Sequence, residues 1–256
     1  GYSFTHVVPF IRGERVLKGI RRIEVGGKVL TNHLKELISY RHLNVMDESY
    51  VVNQIKEDVC YVAADFGEEM KVHQNPLKRA EVVVEYVLPD FTSVRRGFIR
   101  KQKHKKPRLE QSEQENEADE EETGGEDDQY VRLCNERFSV PELLFNPSDV
   151  GIPQVGIPEA VIDCLKDCPS YAHSELLRNI LVVGGSSLFP GFITRLKSEI
   201  RALAPDDLEV SLIFPEDPIK YGWYGGKELA CSDTFKDLLL TREDYEENGF
   251  CVQNGK

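Results

Sequence analysis

The stretch Asn179-Ile-Leu-Val-Val-Gly-Gly-Ser-Ser-Leu-Phe-Pro-Gly191 governs how the rest of the chain is read. Its first five residues are a compact apolar run suited to a buried strand. Gly184 to Gly191 make a glycine-rich turn, after which Phe192, Leu196, Ile200 and Leu203 recur at helical spacing and predict an amphipathic helix. Strand, glycine turn and helix together bring backbone close to a phosphate or nucleoside. Glycine lacks the Cβ that blocks approach, and the first N–H groups of a helix favour anionic or polar ligands. Many strand-to-helix turns need glycine for conformational reasons alone. The spacing is neither GxGxxG nor GxxxxGK[ST], so neither a dinucleotide fingerprint nor a Walker-type loop is supported.

Around this centre the chain alternates element types. Pro158 opens a predicted helix through Leu165, Ser174 to Arg178 a short one, and Val210 to Phe214 a strand. Lys220-Tyr-Gly-Trp-Tyr-Gly-Gly226 reads as a tight turn, and Thr234 to Glu247 as short helices. Towards the N-terminus, Thr5 to Phe10, Val16 to Ile20 and Ile23 to Val25 are short strands with a turn at Arg12-Gly13-Glu14, predicting an antiparallel meander. Thr31 is a plausible N-cap for a helix carrying Leu34, Leu37 and Ile38 on one stripe. A second helix, from about residue 48 to 64, carries Val51, Val52, Ile55, Val59 and Val62 on its apolar face, with Lys56 and Glu57 beside it. Glu81 to Leu88 and Tyr130 to Cys134 read as two arms of one sheet.

Between those arms the charge is segregated. Arg95 to Arg108 holds eight Lys/Arg and no acidic residue, and Glu110 to Asp128 holds eleven Asp/Glu and no basic one. With so little apolar content the block cannot offset its ordering entropy, which predicts a disordered loop over about 93–128, an expanded hairpin tip. A solvated linker explains such a block; so does a basic run that meets nucleic acid or an import receptor beside an acidic run that meets histones. The whole chain has 256 residues, 32 Lys+Arg, 44 Asp+Glu and a formal net charge of −12. Without the block the remainder carries −9, a poor general platform for a phosphate backbone. No window approaches the roughly 18 apolar residues of a membrane span, and no basic-then-apolar leader opens the chain. The six cysteines form no CxxC pair, which favours a reducing compartment over a disulfide framework or zinc site. Cys164 and Cys168 read as packed thiols. The chain opens on Gly1, directly into strand-like sequence, as part of a longer polypeptide would.

Five ordered blocks carry a resemblance. Thr5-His6-x-Val8-Pro9, Ile55-Lys-Glu-x-x-Cys-Tyr-Val-Ala63, Asn135-Glu-Arg-Phe-x-x-Pro-Glu-x-Leu-Phe-x-Pro-Ser148, Gly184-Gly-x-x-x-x-Pro-Gly191 and Trp223-x-Gly-Gly226 resemble, in this order, the second half of actin and the actin-related proteins. The glycine loop and the charged insertion are most similar to a nuclear member that serves in histone-variant-exchanging chromatin remodellers. The resemblance implies an α/β fold, an actin-like (ribonuclease-H-like) lobe with a mixed sheet and flanking helices plus an outer α+β subdomain. Residues 1–25 and 153–222 would form the inner part, 26–152 the outer part, and 223–256 a return to the other lobe.

It also implies an ATP or ADP cleft. Carried over position by position, Lys56 and Glu57 would line the adenine and ribose, and Gly184, Gly185, Ser186, Leu188 and Phe189 would form the adenosine motif, with Phe189 replacing the usual Tyr. Lys220 would match a base-site lysine, although its spacing to Trp223 is one residue shorter. The family's Asp-x-Gly-Asp-Gly hairpin is where this chain departs: Tyr2 stands at the second Asp and Ser3 at the following Gly. A phenol with a pKa of about 10 neither orients hydrated Mg2+ nor polarises water well, so hydrolysis should be lost or very slow. His6, in a strand and without a paired Ser or Asp nearby in sequence, reads as a structural or phosphate-sensing group. Asp149 in the loop 145–152 stands where the filament contact is apolar, and burying it unpaired disfavours polymerisation. The expected role is a non-catalytic scaffold in the nucleus, with a cytoplasmic pool also compatible. Its partners would be a remodelling ATPase subunit, a HIT-type zinc-finger subunit, histones and the nucleosome, with room for nucleic-acid contact and no membrane. The alternatives are a slow ATPase or ATP-gated switch, and a cytoskeletal filament protein.

Overall fold

Two nested hairpins, in place of the predicted meander, open the computed structural model, which describes residues 1–100, 129–233, 235 and 239–249. Strand β1 (Thr5–Val7) pairs antiparallel with β4 (Arg21–Ile23), Thr5 opposite Ile23. Inside them β2 (Phe10–Ile11) pairs with β3 (Glu14–Arg15) across the anticipated turn at Arg12 and Gly13. The stretch predicted as a strand from Val16 to Ile20 instead closes into a 3-10 turn at Leu17–Gly19.

Helix α1 (Gly27–Arg41), with Gly26 as its N-cap, starts five residues earlier than a cap at Thr31 would have it. Its first N–H groups find backbone acceptors: Gly27 N donates to Gly1 O at 3.0 Å and Lys28 N to Tyr2 O at 2.8 Å. The Thr31 hydroxyl, freed from capping, bonds back to Gly27 O at 2.9 Å inside the helix. Helix α2 (Ser49–Val59) ends before the predicted Ala64, because Tyr61 N is drawn to Arg137 O and Val62 N to Pro190 O. Two unanticipated helices follow. Asp65 caps α3 (Phe66–Gln74) through Glu68 N, and Asn75 caps α4 (Pro76–Val82) through Leu77 N, with Pro76 at the first helical position.

Strand β5 (Val84–Val87) is the centre of a three-stranded sheet between β6 (Phe98–Ile99) and β7 (Tyr130–Leu133), both antiparallel to it. The two predicted arms therefore pair, Val84 opposite Leu133. The start of the predicted disordered loop is corrected. Residues 93–100 belong to the fold, since β6 takes up one edge of β5, Arg96 pairs with Asp58 at 2.9 Å and Arg100 with Glu85 at 3.4 Å. The remainder of that loop, 101–128, lies outside the described residues. Beneath this sheet α1, α2 and α5 (Glu136–Glu142) bury Leu30, Leu34, Ile38, Val52, Ile55 and Phe138. Each such side chain stabilises the fold by about 1.5–3 kcal/mol.

Helices α6 (Ile157–Lys166) and α8 (Phe192–Leu203) pack on each other, with α7 (His173–Arg178) and β8 (Ile180–Leu181) between them in sequence. Strand β8 pairs in parallel with β9 (Leu212–Ile213). In α8 the predicted stripe holds at Phe192, Leu196 and Ile200, while Leu203 is about half exposed at the frayed end. The apolar run 179–183 is not a fully buried strand, because Leu181 and Val183 face open space. The predicted turn at 220–226 is a helix, α9 (Tyr221–Ala230), launched by Asp217 Oδ1 accepting from Ile219 N and Lys220 N. A capping box at Thr241 and Asp244 starts α10 (Arg242–Asn248). Among the described residues no helix is long and apolar enough to cross a membrane.

One buried ion pair ties α8 to α5. Arg195 Nη2 reaches Glu142 Oε1 at 3.2 Å, its Nη1 donates to Ala63 O at 2.8 Å, and its Nε pairs with Glu199. Glu142 is 1% exposed, also accepts from Asn146 Nδ2 at 2.8 Å, and leaves its Oε2 without a hydrogen-bond partner. Burial raises the Glu142 carboxyl above its ordinary value, with Arg195 and Asn146 opposing. A raised carboxyl pKa means the folded chain binds the proton more tightly, so this group's stabilisation is full at low pH and falls as pH rises through the folded value. Arg195→Met removes the cation and should lower stability by about 3–5 kcal/mol at neutral pH. Thermal denaturation should show a fall in Tm on the order of 10 °C. The deficit should shrink as pH drops and Glu142 protonates, and Glu142→Gln in the same background should recover part of it.

Candidate functional site

The glycine turn and the Lys/Glu helix meet through backbone. Gly184 sits at φ +106°, a conformation glycine alone adopts without strain, and a Cβ there would lie 3.6 Å from Gly1 N. Gly1 O receives the Gly27 N–H, and Gly27 O receives the Lys56 ammonium at 3.3 Å. Gly184, Gly1, Gly27 and Lys56 thus form one connected wall. The turn continues as a 3-10 segment, Gly185–Leu188, and is held from both sides: Gly184 N donates to Pro218 O at 2.8 Å, and Ser187 Oγ donates to Gly184 O at 2.6 Å. At the far end of the turn Gly191 passes so close to Val62 that a Cβ would meet its carbonyl oxygen at 2.3 Å.

The side chains named from the sequence fall into two groups. Gly185, Glu57, Leu188 and Lys220 are exposed, and Ser186 is half-buried. Lys56 and Phe189 are buried: Phe189 packs into the core, and Lys56 spends its donors inside the protein. The Lys56 ammonium reaches Thr31 Oγ1 at 3.0 Å, Asn53 Oδ1 at 2.8 Å and Gly27 O, and burial lowers its pKa. Its geometry ties α2 to the start of α1. Glu57 is held from one side by Asn53 Nδ2 at 2.8 Å and keeps a carboxylate at the surface. Lys220 is paired with Asp217 at 3.2 Å beside Ile219, which comes within 3.9 Å of a Cβ placed on Gly185.

For a nucleoside the fit is partial. The Gly184–Gly185 backbone is open to close approach, and Glu57 would accept hydroxyl groups of a sugar, whereas Lys56 has no spare donor. The residues that position the wall without having been singled out in the sequence are Asn53, Ser187 and the first two residues' carbonyls. Asn53 stands one helical turn before Lys56 and Glu57, a spacing that reaches both; Ser187 had no such signal. The Tyr2 ring is 68% exposed beside this wall, with no carboxylate in the Gly1-Tyr2-Ser3 turn. His6 is exposed in β1, edge-on to Phe4 at 6.3 Å between ring centres. Cys164 and Cys168 are packed thiols, Cys168 Sγ donating to Cys164 O at 3.3 Å, and burial raises the Cys164 pKa to about 12. Asp149 is exposed on the 3-10 turn Pro147–Val150.

The actin family model matches residues 1–254. Among curated proteins the chain is similar to actin-related protein 6 of Drosophila melanogaster, 65% identical over 250 residues that make up 98% of this chain and 59% of that protein. It is similar too to actin-like protein arp6 of Emericella nidulans, at 41% identity, covering 97% of this chain and 53% of that one. With actin-related protein 6 of Arabidopsis thaliana it shares 38% identity, covering 97% and 60%. The chain therefore spans between 53% and 60% of the length of these relatives. With its mixed α/β elements and a match over nearly every residue, this chain belongs to the actin family.

Proposed function

We propose that the chain is part of a non-catalytic, actin-like scaffold subunit of a nuclear chromatin-remodelling complex that exchanges a histone variant into nucleosomes. The observation that carries the non-catalytic reading is the Gly1-Tyr2-Ser3 turn. A neutral, exposed phenol stands where the family resemblance calls for a carboxylate, beside a wall whose one buried lysine is already committed to protein acceptors. Such a cleft favours a held nucleotide, ATP or ADP, over a turned-over one, because Mg2+ and the attacking water both need a hard anionic oxygen. The chromatin reading is supported by similarity to the actin-related protein 6 relatives and by the segregated charges of residues 101–128, with basic residues first and acidic residues after them. In this reading the lobe clamps a segment of the remodelling ATPase and a HIT-type zinc-finger subunit, and the charged segment meets histones or nucleosomal DNA. Asp149, exposed at the loop tip, disfavours a filament. An ATP-gated switch is the second reading, favoured by the contact between Gly184 and Gly1.

Four outcomes are expected. Lys56→Met should lower the Tm of the nucleotide-free chain, with a stability loss of about 1–3 kcal/mol from the orphaned acceptors. Glu57→Gln should leave that Tm unchanged and weaken nucleotide binding, measured by calorimetry. In a protein of the relatives' length, Tyr2→Asp should raise ATP turnover, on the order of tenfold or more, in a phosphate-release assay. Deleting residues 101–128, which spares β6, should weaken nucleosome binding in a salt-dependent manner. Native mass spectrometry of the purified complex, reporting subunits and retained nucleotide together, tests the assignment as a whole.

A further inference from the structure

The outer face of the β5-centred sheet gathers arginines. In β7 the buried Val131 and Leu133 point to the core, so Arg132 lies on the other face, with Glu85 of β5 as its cross-strand partner. The ends of α1 and α4 and the start of α5 border this face and enclose a cavity of about 500 Å3, lined by Arg41, His42, Arg79, Glu85, Arg132 and Glu136. Both carboxylates are already engaged. Glu85 accepts from Arg132 Nε at 2.9 Å and pairs with Arg100 at 3.4 Å; Glu136 pairs with Arg41 through Oε1, and its Oε2 accepts from Cys134 N at 2.8 Å. Donors are left over. Arg41 uses only Nη1, Arg132 keeps its Nη1, and the side chains of His42 and Arg79 have no partner among the described residues. Arg41 and Arg79 stand in the last turns of α1 and α4, where about half a unit of negative charge at each helix end offsets only part of theirs.

A surplus of guanidinium forks in a concave site suits carboxylates or phosphates, because each fork can donate two parallel bonds to either. The surroundings choose between them. Duplex nucleic acid carries a charge about every 1.7 Å and would run past the cavity over a body of net charge −9, whereas a short peptide confines its charge to the cavity. The rim suits a peptide as well. Leu77, 82% exposed, neighbours the cavity-lining Ala80 on the same side of α4, and the Tyr130 ring lies under the Arg100 and Arg132 guanidinium groups at 4.6 and 5.6 Å. We propose that this cavity is a docking site for an acidic peptide segment of a partner protein. Its Asp or Glu side chains are bound by Arg79, Arg132 and the free edge of Arg41, and an apolar neighbour rests on Leu77. The site lies at the Arg41 end of α1, about 21 Å along the helix from Gly27, and stands whether or not a nucleotide is held.

The test is fluorescence anisotropy with a labelled peptide of about eight residues, Glu alternating with Leu. It is run on the whole chain and on the chain without residues 101–128, whose own acidic run could compete. A peptide with Gln in place of Glu and a short duplex DNA are the comparisons. The acidic peptide should bind about tenfold more tightly than the Gln peptide, with affinity falling as salt rises. Arg79→Gln combined with Arg132→Gln should weaken it about tenfold or more with little change in Tm, since both side chains are exposed and Glu85 keeps Arg100. Lys197→Gln, on the exposed side of α8, alters net charge alone and should leave the affinity as it was. Any of four results overturns the proposal: the acidic peptide binds neither form of the chain, the Gln peptide binds equally, the double arginine variant and Lys197→Gln bind alike, or DNA is preferred and is lost in the double variant.

Discussion

A helix that begins without a side-chain cap must find acceptors for its first N–H groups elsewhere, and α1 finds them in the carbonyls of Gly1 and Tyr2. Those two bonds seat the N-terminal turn on the helix, and Lys56 locks the same spot from below through Gly27 O and Thr31. Once Gly1 is fixed, Gly184 can lie against it, and the glycine turn, the first turn and α2 become neighbours. This contact brings together segments of the candidate cleft that are far apart in sequence.

A second constraint is electrostatic. Arg195 satisfies a carboxylate, a backbone carbonyl and a second carboxylate at once, which links α8 to α5 and to the segment after α2. A buried pair of this kind adds little net stability over an apolar pair, but losing one partner leaves the other stranded. It fixes how the α6–α8 layer meets the β5-centred layer. The aromatic contact of Phe145 with Phe192, 5.7 Å between ring centres, lies at the same joint.

The candidate cleft wall is open in its backbone and carries no acidic side chain at the Gly1-Tyr2-Ser3 turn. Backbone geometry at Gly184 and Gly185 leaves room for close approach, while the Gly1-Tyr2-Ser3 turn presents a phenol and a hydroxyl where the family resemblance implies a carboxylate and a glycine. In the proposed scaffold role, nucleotide would be a structural ligand and partner surfaces would carry the work.

Much of this was legible in the residues. The glycine run announced a strand-to-helix turn because only glycine tolerates Gly184's backbone angle; the valines of α2 announced a helix by spacing; and the arms around the insertion announced a hairpin by alternation. The sequence also exposed the change at Tyr2, since residue type alone removes the carboxylate. Tertiary structure decided the rest. Thr31 has the chemistry of a cap but lost that role to two distant carbonyls, and Lys56, which reads as a surface or cleft cation, is buried because Thr31, Asn53 and Gly27 O satisfy its ammonium. The apolar run at 179–183 encodes burial on both sides, yet whether a strand has a neighbour depends on which other segment reaches its edge, and no local pattern carries that information.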